Sequence, residues 1–511
     1  MKANAMRTSL PFKKIIIIGG GTAGWMSACY LAKMWHQHDV EIKIIESDAI
    51  GTIGVGEGTT PSIKGFFEQL GIAAKEWMPA CNATYKTGIR FVNWSSDPNY
   101  KSYFHPFYSQ LDEYFQHEFF QNIQLKHRGF DVHAHPDQYL LASELATQRK
   151  APIEPEHYPF DMAYAYHFDA TLLAQFLKKK ALEWNVTHQV ATISEVKQKD
   201  DGSIASVATE AGEEFEADFF VDCSGFRSLL LGKTLNVPYN SFADSLLNDS
   251  AVTIVTDRED TTPSMTLSTA LSSGWAWRIP LTNRFGNGYV FSSRFQSPEE
   301  AEEEFRQHLG LPEGTQFNHL KMRVGHFAKG WDKNVLAVGL SQGFIEPLEA
   351  TALHFATQSV VDFVSAIDNS TDHDGCSNQA AYNNKLMDRF SCVRDYIELH
   401  YLANSRNDTA YWKAARSHTP SPRLQRILQT WHQGQSVPRV LDEESVSLQL
   451  FGHESWLCLL AGKGVFPKSE QPLEALPAPM RIDMQKIKHF VETSAKHYPP
   501  HDDALAELTL G

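Results

Sequence analysis

Three glycines at a fixed spacing near the start of the chain point to nucleotide-binding chemistry. Gly19, Gly21 and Gly24 satisfy the pattern G-x-G-x-x-G. In this pattern the first glycine makes a tight turn, the second lets the backbone approach a pyrophosphate, and the third lets a helix pack closely on a strand. The free N–H groups at the start of that helix attract the phosphates. The motif predicts a dinucleotide site, with a glycine-rich turn that binds nothing as the alternative.

A carboxylate stands where a bound ribose would need it. Glu46 ends a strand-like run 27 positions after Gly19, and a carboxylate at that point can accept hydrogen bonds from the ribose hydroxyls. NAD-binding motifs usually place this residue about 20 positions on. The longer spacing favours FAD, and a solvated glutamate without a ligand is the alternative.

The flanking residues predict the elements that position this site. Residues 15–18 are four consecutive isoleucines, which is typical of a buried strand. Apolar residues then recur at i, i+3, i+4 and i+7 from Ala28, which predicts a helix with one apolar face. A second strand is predicted at residues 40–46. This β-α-β opening predicts a parallel sheet covered by helices.

The rest of the chain alternates between predicted sheet and predicted helix. Residues 190–196 and 215–222 are strand-like runs on either side of an Asp-Gly turn, which predicts a hairpin. Residues 271–295 are rich in aromatic and β-branched residues, and residues 334–339 form a buried strand that ends in glycine. From residue 356 onwards the pattern is helical.

Composition excludes several classes of protein. The 511 residues carry 46 Lys and Arg against 61 Asp and Glu, and this net charge of −15 argues against nucleic acid or an anionic membrane as a partner. The six cysteines include no C-x-x-C pair and the 22 histidines show no metal-ligand spacing, so no metal is expected. No apolar run approaches the roughly 18 residues of a membrane span. Because the cysteines show no disulfide pattern, we expect a cytoplasmic protein. We expect His167 to be a hydrogen-bonded core residue rather than a metal ligand.

Nine short motifs, in order along almost the whole chain, resemble those of the flavin-dependent halogenases typified by the tryptophan halogenases. The most specific is W-x-W-x-I-P, because ordinary flavin monooxygenases lack it. The motifs are GGGTAGW from Gly19, GEGTTP from Gly56, NATYK from Asn82, FVNW from Phe91, AYHFDA from Ala165, DCSG from Asp222, WAWRIP from Trp275, EPLEATA from Glu346 and FGHESW from Phe451.

The resemblance implies a fold and a division of the chain. It implies an α/β fold in which a Rossmann-like (GR2-type) FAD-binding module with mixed sheets is joined to a mainly helical substrate module. The FAD-binding module would be discontinuous, formed by residues 12–80 and 155–370. Residues 81–154 and 371–511 would form the substrate-binding module.

The resemblance also implies a reaction. FAD, supplied as FADH2 by a separate flavin reductase, would activate O2 and convert chloride or bromide into hypohalous acid. The acid would pass through the protein to an electron-rich aromatic substrate of indole type, and electrophilic substitution would follow. A homodimer is compatible with the resemblance. Two alternatives stay open, a flavin-dependent aromatic monooxygenase and a non-catalytic FAD-binding protein that retains the motifs.

Two catalytic roles are implied by motif position. Lys86 would receive the hypohalous acid, because its amine can form a hydrogen bond or be N-halogenated and so hold the halogen against one ring carbon. Glu349 would stabilise the cationic ring intermediate and help remove its proton. Glu346 belongs to the same motif without that role, and we expect the two glutamates to share a helix face.

The halide site is implied at the end of the same motif. Backbone N–H groups of Thr351 and Ala352 would bind the halide, since free amides suit a small anion. The family usually has Ser-Thr-Gly where this chain has Ala350 to Ala352. The exchange removes a hydroxyl that could contact Lys86 and restricts the backbone, but it leaves the amides in place.

A wall between flavin and substrate is implied by the W-x-W-x-I-P element. Trp275, Trp277 and Pro280 would keep the substrate away from the oxygenated flavin, and we expect core packing as well. A strand is expected to bury the two tryptophans in a core only one at a time. The implied flavin contacts are Gly19, Gly21, Thr22, Ala23, Gly24, Glu46, Glu57, Gly58, Ile193, Leu340 and Leu353.

Overall fold

A six-stranded sheet lies at the centre of the fold. The computed structural model describes residues 10–48, 56–372, 375–446, 450–467, 475–478 and 481–510. Neighbouring strands of this sheet are parallel except for one antiparallel pair at its edge. In spatial order the strands are Trp331–Asp332, Val335–Ala337, Phe219–Asp222, Lys14–Ile18, Glu41–Glu46 and Thr187–Val190. We call it the parallel sheet.

The predicted β-α-β opening is confirmed. The isoleucine run of Lys14–Ile18 is buried on both faces, as expected for a central parallel strand. The helix Thr22–Met34 packs between the helices Ala170–Glu183 and Ala352–Asp368. Asp169 caps the helix Ala170–Glu183 by accepting hydrogen bonds from two N–H groups of its first turn. These helices cover one face of the parallel sheet. The other face, which includes Ile16 and Ile18, packs against a small sheet that contains the strand Ile204–Thr209, so the prediction of a sheet covered by helices holds for one face only.

A seven-stranded sheet forms the second large layer. It is antiparallel apart from one parallel pair, Gly88–Val92 with Thr266–Ala270. In spatial order its strands are Asn318–Lys321, Ser250–Asp257, Arg284–Phe291, Gly274–Pro280, Thr266–Ala270, Gly88–Val92 and Ser102–Pro106. The described residues also form three small sheets of three strands each. The first contains Glu57–Gly58, Ala165–Phe168 and Thr84–Lys86 in spatial order. The second contains Glu214–Glu216, Ile204–Thr209 and Ile193–Gln198, and the third contains Tyr239–Ser241, Gly325–Phe327 and Gly343–Phe344.

The remaining helices lie mostly in the second half of the chain, as the sequence predicts. They are Ser62–Leu70, Ala74–Trp77, Glu113–His127, Leu141–Thr147, Pro298–Leu309, Gln379–Leu402, Ala410–Ala415, Pro422–His432, Val437–Glu443, His453–Gly462, Met484–Ala495 and His501–Glu507.

The predicted pairing of residues 190–196 with residues 215–222 in a hairpin is wrong. The strand Ile193–Gln198 pairs with Ile204–Thr209 across the Asp-Gly turn. Phe219–Asp222 instead joins the parallel sheet beside Lys14–Ile18. All four residues of Phe219–Asp222 are buried, which fits a central parallel strand, whereas Ile193–Gln198 is half-exposed and fits a surface hairpin.

The two predicted modules share a sheet. The strands Gly88–Val92 and Ser102–Pro106 come from the predicted substrate-binding module, yet they extend the seven-stranded sheet beside Thr266–Ala270 of the predicted FAD-binding module. One large hydrophobic core also contains residues of both. The division into two modules stays a prediction. Residues 81–154, predicted to be mainly helical, include three strands before their first long helix.

Candidate active site

The glycine motif lies at the carboxyl edge of the parallel sheet, where three loops meet. Gly19 has a φ of +110°, and a Cβ there would lie 2.2 Å from the carbonyl oxygen of Cys223. A Cβ on Gly24 would lie 1.9 Å from the Gly19 carbonyl oxygen, so close packing of helix on strand requires glycine. Gly339 approaches from the third loop, and a Cβ on it would lie 2.9 Å from Ala23 Cβ. Ligands of such sheets bind at this edge.

A cradle for a phosphate lies beside Gly21. A Cβ on Gly21 would meet no heavy atom within 4 Å. Gly21 caps the helix Thr22–Met34 without a side chain, so the first N–H groups of the helix keep no intrahelical acceptor. The Thr22 hydroxyl is turned to the Ala170 carbonyl, at 3.4 Å. The residues present therefore fit a pyrophosphate.

Glu46 lies over the glycine loop, and its carboxylate is already paired. Its Oε1 lies 2.7 Å from Lys178 Nζ and 2.7 Å from His188 Nε2. A Cβ on Gly20 would lie 1.6 Å from Glu46 Oε2. The carboxylate is thus close to the cradle, where a ribose hydroxyl would compete with the Lys178 amine and the His188 ring for it.

The other predicted flavin residues are grouped around the same edge. Leu340 lies in the short turn Gly339–Ser341 that follows the strand Val335–Ala337, and Leu353 lies in the first turn of the helix that packs against that turn. Ile193 lies two residues after Ala191, whose N–H donates to the Glu46 carbonyl at 2.8 Å. Leu340 and Leu353 therefore adjoin the glycine motif, whereas Ile193 adjoins the Glu46 end of the sheet.

The side chain of Lys86 is fully buried at the end of the strand Thr84–Lys86. Its Nζ donates to the Thr59 carbonyl at 3.0 Å and lies 5.5 Å from the centroid of the Phe107 ring. Burial lowers the pKa of Lys86 to about 7, and the Glu349 charge opposes this shift only in part. The amine is therefore available in both protonation states near neutral pH.

The strand Glu57–Gly58 brings the predicted flavin contacts to this lysine. It pairs with one edge of Ala165–Phe168, and Thr84–Lys86 pairs with the other edge. A Cβ on Gly58 would lie 3.4 Å from Lys86 Nζ. Burial and the Asp169 carboxylate raise the pKa of Glu57 to about 7. The amine of Lys86 is thus in direct reach of Gly58.

Glu349 is buried between two histidines. His105 Nδ1 lies 2.9 Å from Glu349 Oε2, and His400 Nε2 lies 2.8 Å from Oε1. Burial by itself raises the pKa of Glu349, but the two imidazoles outweigh it and lower this pKa to about 2. Glu349 is therefore an ionised carboxylate that receives an N–H from each side.

Glu346 occupies a different environment. Its Oε2 accepts from Tyr401 OH at 2.6 Å, Asn248 Nδ2 at 2.8 Å and Trp275 Nε1 at 3.0 Å. Burial raises the pKa of Glu346 despite these donors. The expectation of a shared helix face is wrong, because Glu346 has extended backbone and precedes the short 3-10 turn that carries Glu349.

The predicted halide-binding amides lie just after that turn. Ala350 has a φ of +56°, in the left-handed region, and Ala352 begins the helix Ala352–Asp368. The Ala352 N–H is consequently one of the four that lack an intrahelical acceptor. Thr351 Oγ1 is buried and has no hydrogen-bond partner among the described residues. Alanine in place of the family's glycine is accommodated at Ala352, since its backbone is helical.

The strand Gly274–Pro280 runs from the surroundings of Glu346 to the strand that carries Lys86. Trp275 and Trp277 are both buried in one core, with ring centroids 6.1 Å apart. The expectation that only one at a time could be buried is wrong, because residues two apart on a strand face the same side. Trp275 donates to Glu346, and the Pro280 carbonyl accepts from Thr84 Oγ1 at 2.8 Å.

Three buried polar residues of the site escaped sequence reasoning. His105 and His400 hold Glu349, and Lys463 Nζ donates to the His400 carbonyl and lies 4.4 Å from the Trp94 ring centroid. Nothing separates these two histidines from the other twenty in the sequence. Lys463 offered a signal, because it is a single charge in an otherwise apolar stretch. The prediction for His167 is confirmed, since both of its ring nitrogens lie within 3.0 Å of threonine hydroxyls.

The described ranges hold no cluster of three or more His, Cys, Asp or Glu that could bind a metal ion. No helix within them is long and apolar enough to cross a membrane.

Comparison with known proteins decides the family. The family model described as tryptophan halogenase matches residues 14–479. The chain belongs to the tryptophan halogenase family. It is 35% identical to the tryptophan 6-halogenase SttH of Streptomyces toxytricini over 95% of this chain and 97% of that protein. It is 34% identical to the tryptophan 7-halogenase RebH of Lentzea aerocolonigenes, over 90% and 91%.

Solved structures agree with this assignment. A flavin-dependent halogenase from Xanthomonas campestris superposes with a TM-score of 0.85 at 31% identity, covering 97% of this chain and 98% of that one. The predicted Rossmann-like FAD-binding α/β fold is confirmed by such neighbours. This halogenase is therefore an enzyme that uses a flavin and acts on an aromatic substrate.

Proposed function

We propose that this halogenase forms hypohalous acid from chloride or bromide at FADH2 and relays it through Lys86 to an electron-rich aromatic of indole type. The buried amine of Lys86 carries the proposal. It is held by a carbonyl rather than a carboxylate, and it lies between Gly58 on the predicted flavin side and the Phe107 ring. Burying an amine without a carboxylate partner destabilises the folded protein. A role in the reaction would explain why this chain buries one.

The cradle at the sheet edge supports FAD as the flavin. The N–H groups of Thr22 and Ala23 would bind the pyrophosphate, and Glu46 would accept from the ribose. When bound in reduced form, FAD supplied by a separate reductase would provide the electrons that activate O2. Glu57, Gly58, Leu340 and Leu353 would hold the flavin on the side of the glycine motif and Lys86, and Ile193 would contact the cofactor at the Glu46 end.

Lys86 would take the halogen in one of two ways. Its protonated amine can hold hypohalous acid by a hydrogen bond, or its neutral amine can attack the halogen. In the second case an N–halogen bond forms, the O–halogen bond breaks, and water leaves. Because burial brings the pKa of Lys86 to about 7, both forms are populated near neutral pH. Either form fixes the halogen at one place against the substrate ring.

Glu349 is suited to the later step. Substitution makes the ring cationic before it loses a proton, and an ionised carboxylate in a water-poor site stabilises that charge. The N–H groups of His105 and His400 keep Glu349 ionised and fixed in orientation. The ring proton would pass to Glu349, as in general base catalysis.

The halide and barrier roles complete the proposal. The N–H groups of Thr351 and Ala352 would bind chloride or bromide at the start of a helix, where the dipole favours an anion. Trp275, Trp277 and Pro280 would separate the flavin from the substrate. Their strand contacts both Glu346 and Thr84, which supports a rigid wall.

The substrate and partners extend from the relatives. Two of them are named as tryptophan halogenases, so we propose an indole ring in the substrate. A separate flavin reductase and a homodimer are proposed from the motif resemblance, and a cytoplasmic location from the scattered cysteines.

Reconstitution tests this function. The protein is mixed with FAD, a flavin reductase, NADH and chloride or bromide, and is offered tryptophan, indole and a tryptophan-containing dipeptide. Mass spectrometry should find the halogen isotope pattern in one of these products. A hydroxylated product would instead favour the monooxygenase, and flavin binding without any product would favour the non-catalytic protein.

A further inference from the structure

We propose that His501, from the last helix of the chain, is a positioning residue for Lys86. This inference rests on the proposed relay. The strand Thr84–Lys86 is at the edge of its three-stranded sheet, and among the described residues Ala165–Phe168 is its only strand neighbour there. An edge strand turns backbone N–H groups away from its sheet, and a buried one needs another acceptor for them.

The imidazole of His501 supplies that acceptor. The Tyr85 N–H donates to His501 Nε2 at 3.2 Å, and His501 Nδ1–H donates to the Thr262 carbonyl at 3.0 Å. Because one nitrogen accepts and the other donates, the two contacts specify a neutral ring with its proton on Nδ1. The ring is 1% exposed, and burial lowers the pKa of His501 to about 4, which agrees with the neutral form.

The chain around His501 is fixed on two sides. The His501 N–H donates to the Arg149 carbonyl at 2.9 Å, and the Ala151 N–H donates to the Pro499 carbonyl at 3.0 Å. The side chain of Asp502 accepts from the Thr262 N–H at 3.0 Å. The imidazole is therefore held in place by backbone contacts and does not depend on Tyr85 for its position.

His501 thereby sets the register of the strand that carries the relay amine. The next amide along this edge, Thr87 N–H, reaches the Ser264 carbonyl directly at 2.8 Å. At Tyr85 the imidazole bridges the same two segments in place of a direct bond. Without it, the N–H immediately before Lys86 is buried and unpaired, and the strand can shift. A displacement of about 1 Å at a reacting group can cost on the order of 100-fold in rate.

The test separates formation of hypohalous acid from its transfer. His501→Phe keeps a ring of similar size without an acceptor, and His501→Gln restores an oxygen that Tyr85 N–H can reach. Tyr498→Phe is the matched control in the same segment, since the Tyr498 hydroxyl is buried and has no partner among the described residues. Hypohalous acid is measured with a chemical trap, and halogenated product and its regioisomers with tryptophan or indole.

We expect His501→Phe to form hypohalous acid at the parent rate, to lose about tenfold or more in product per acid formed, and to change the regioisomer ratio. His501→Gln should recover most of both readouts, and Tyr498→Phe should match the parent. An unchanged yield and regioisomer ratio in His501→Phe would overturn the inference. Equal losses of product per acid formed in His501→Phe and His501→Gln, with a lower melting temperature in both, would also overturn it, because they would indicate a purely structural role. A parent protein that forms acid and no product would refute the relay itself, and the inference with it.

Discussion

Replacing each of the two neighbouring glutamates by glutamine should have very different results. The surroundings of Glu349 stabilise its ionised form, and Glu349→Gln removes that charge. The surroundings of Glu346 disfavour its ionised form, and Glu346→Gln removes that charge. The pKa of Glu349 falls from 4.5 to about 2. At roughly 1.4 kcal/mol per pKa unit, this shift favours the ionised form by about 3 kcal/mol. Burial instead raises the pKa of Glu346, so a neutral side chain there relieves a cost.

The structure also indicates what glutamine would meet at each place. At position 349 the single amide oxygen can accept from one histidine, and its NH2 group faces the N–H of the other. At position 346 all three donors converge on one oxygen, which an amide keeps. We therefore expect Glu349→Gln to lose about 3 kcal/mol of unfolding free energy at pH 7 and about 100-fold in transfer rate. Glu346→Gln should lose less than half of that free energy.

Urea unfolding followed by tryptophan fluorescence, and product formed per hypohalous acid, measure the two effects. Because the pKa of Glu349 is depressed, its contribution is complete above about pH 4.5 and is lost as the pH falls towards about 2. The difference between parent and Glu349→Gln should follow that course. Equal losses of stability and transfer in the two variants would refute the reasoning.

Three further predictions concern other parts of the site. Product per hypohalous acid should rise with pH through about 7, as Lys86 loses its proton, if the neutral amine takes the halogen; a profile that is flat from pH 6 to 8 would contradict this. Gly21→Ala should weaken FAD binding in a fluorescence titration without lowering the melting temperature, whereas Gly24→Ala should lower the melting temperature, because only the second Cβ collides with backbone. Trp275→Phe should cost about 1.5 to 3 kcal/mol in urea unfolding, since a hydrogen bond to the Glu346 carboxylate is lost; an unchanged midpoint would argue against that bond.

The flavin end of the molecule was predictable because its signals are local. The isoleucine run, the glycines that follow it and the first helix lie within about twenty residues of one another, and each has one physical reading. The strand Gly274–Pro280 could also be expected, because W-x-W-x-I-P is a contiguous motif. The error at Phe219–Asp222 arose because a short apolar strand does not specify its partner.

The surroundings of the catalytic groups could not be predicted in the same way. His105 is 244 positions from Glu349, His400 is 51 positions away, and His501 is 416 positions from Tyr85. Such contacts depend on how sheets and helices pack, and a single sequence carries no pattern for them. The pKa values that suit Lys86 and Glu349 to their proposed roles come from these distant neighbours and from burial.

The relay through Lys86 is tested most directly by Lys86→Met, which keeps the length and apolar character of the side chain and removes the amine. Lys126→Met is the matched control, because Lys126 is a half-buried lysine whose Nζ also donates to a carbonyl, that of Val132 at 3.4 Å. We predict that Lys86→Met forms hypohalous acid at the parent rate and yields no halogenated aromatic, while Lys126→Met yields as much as the parent. Product formation by Lys86→Met at near the parent yield per acid would contradict the relay.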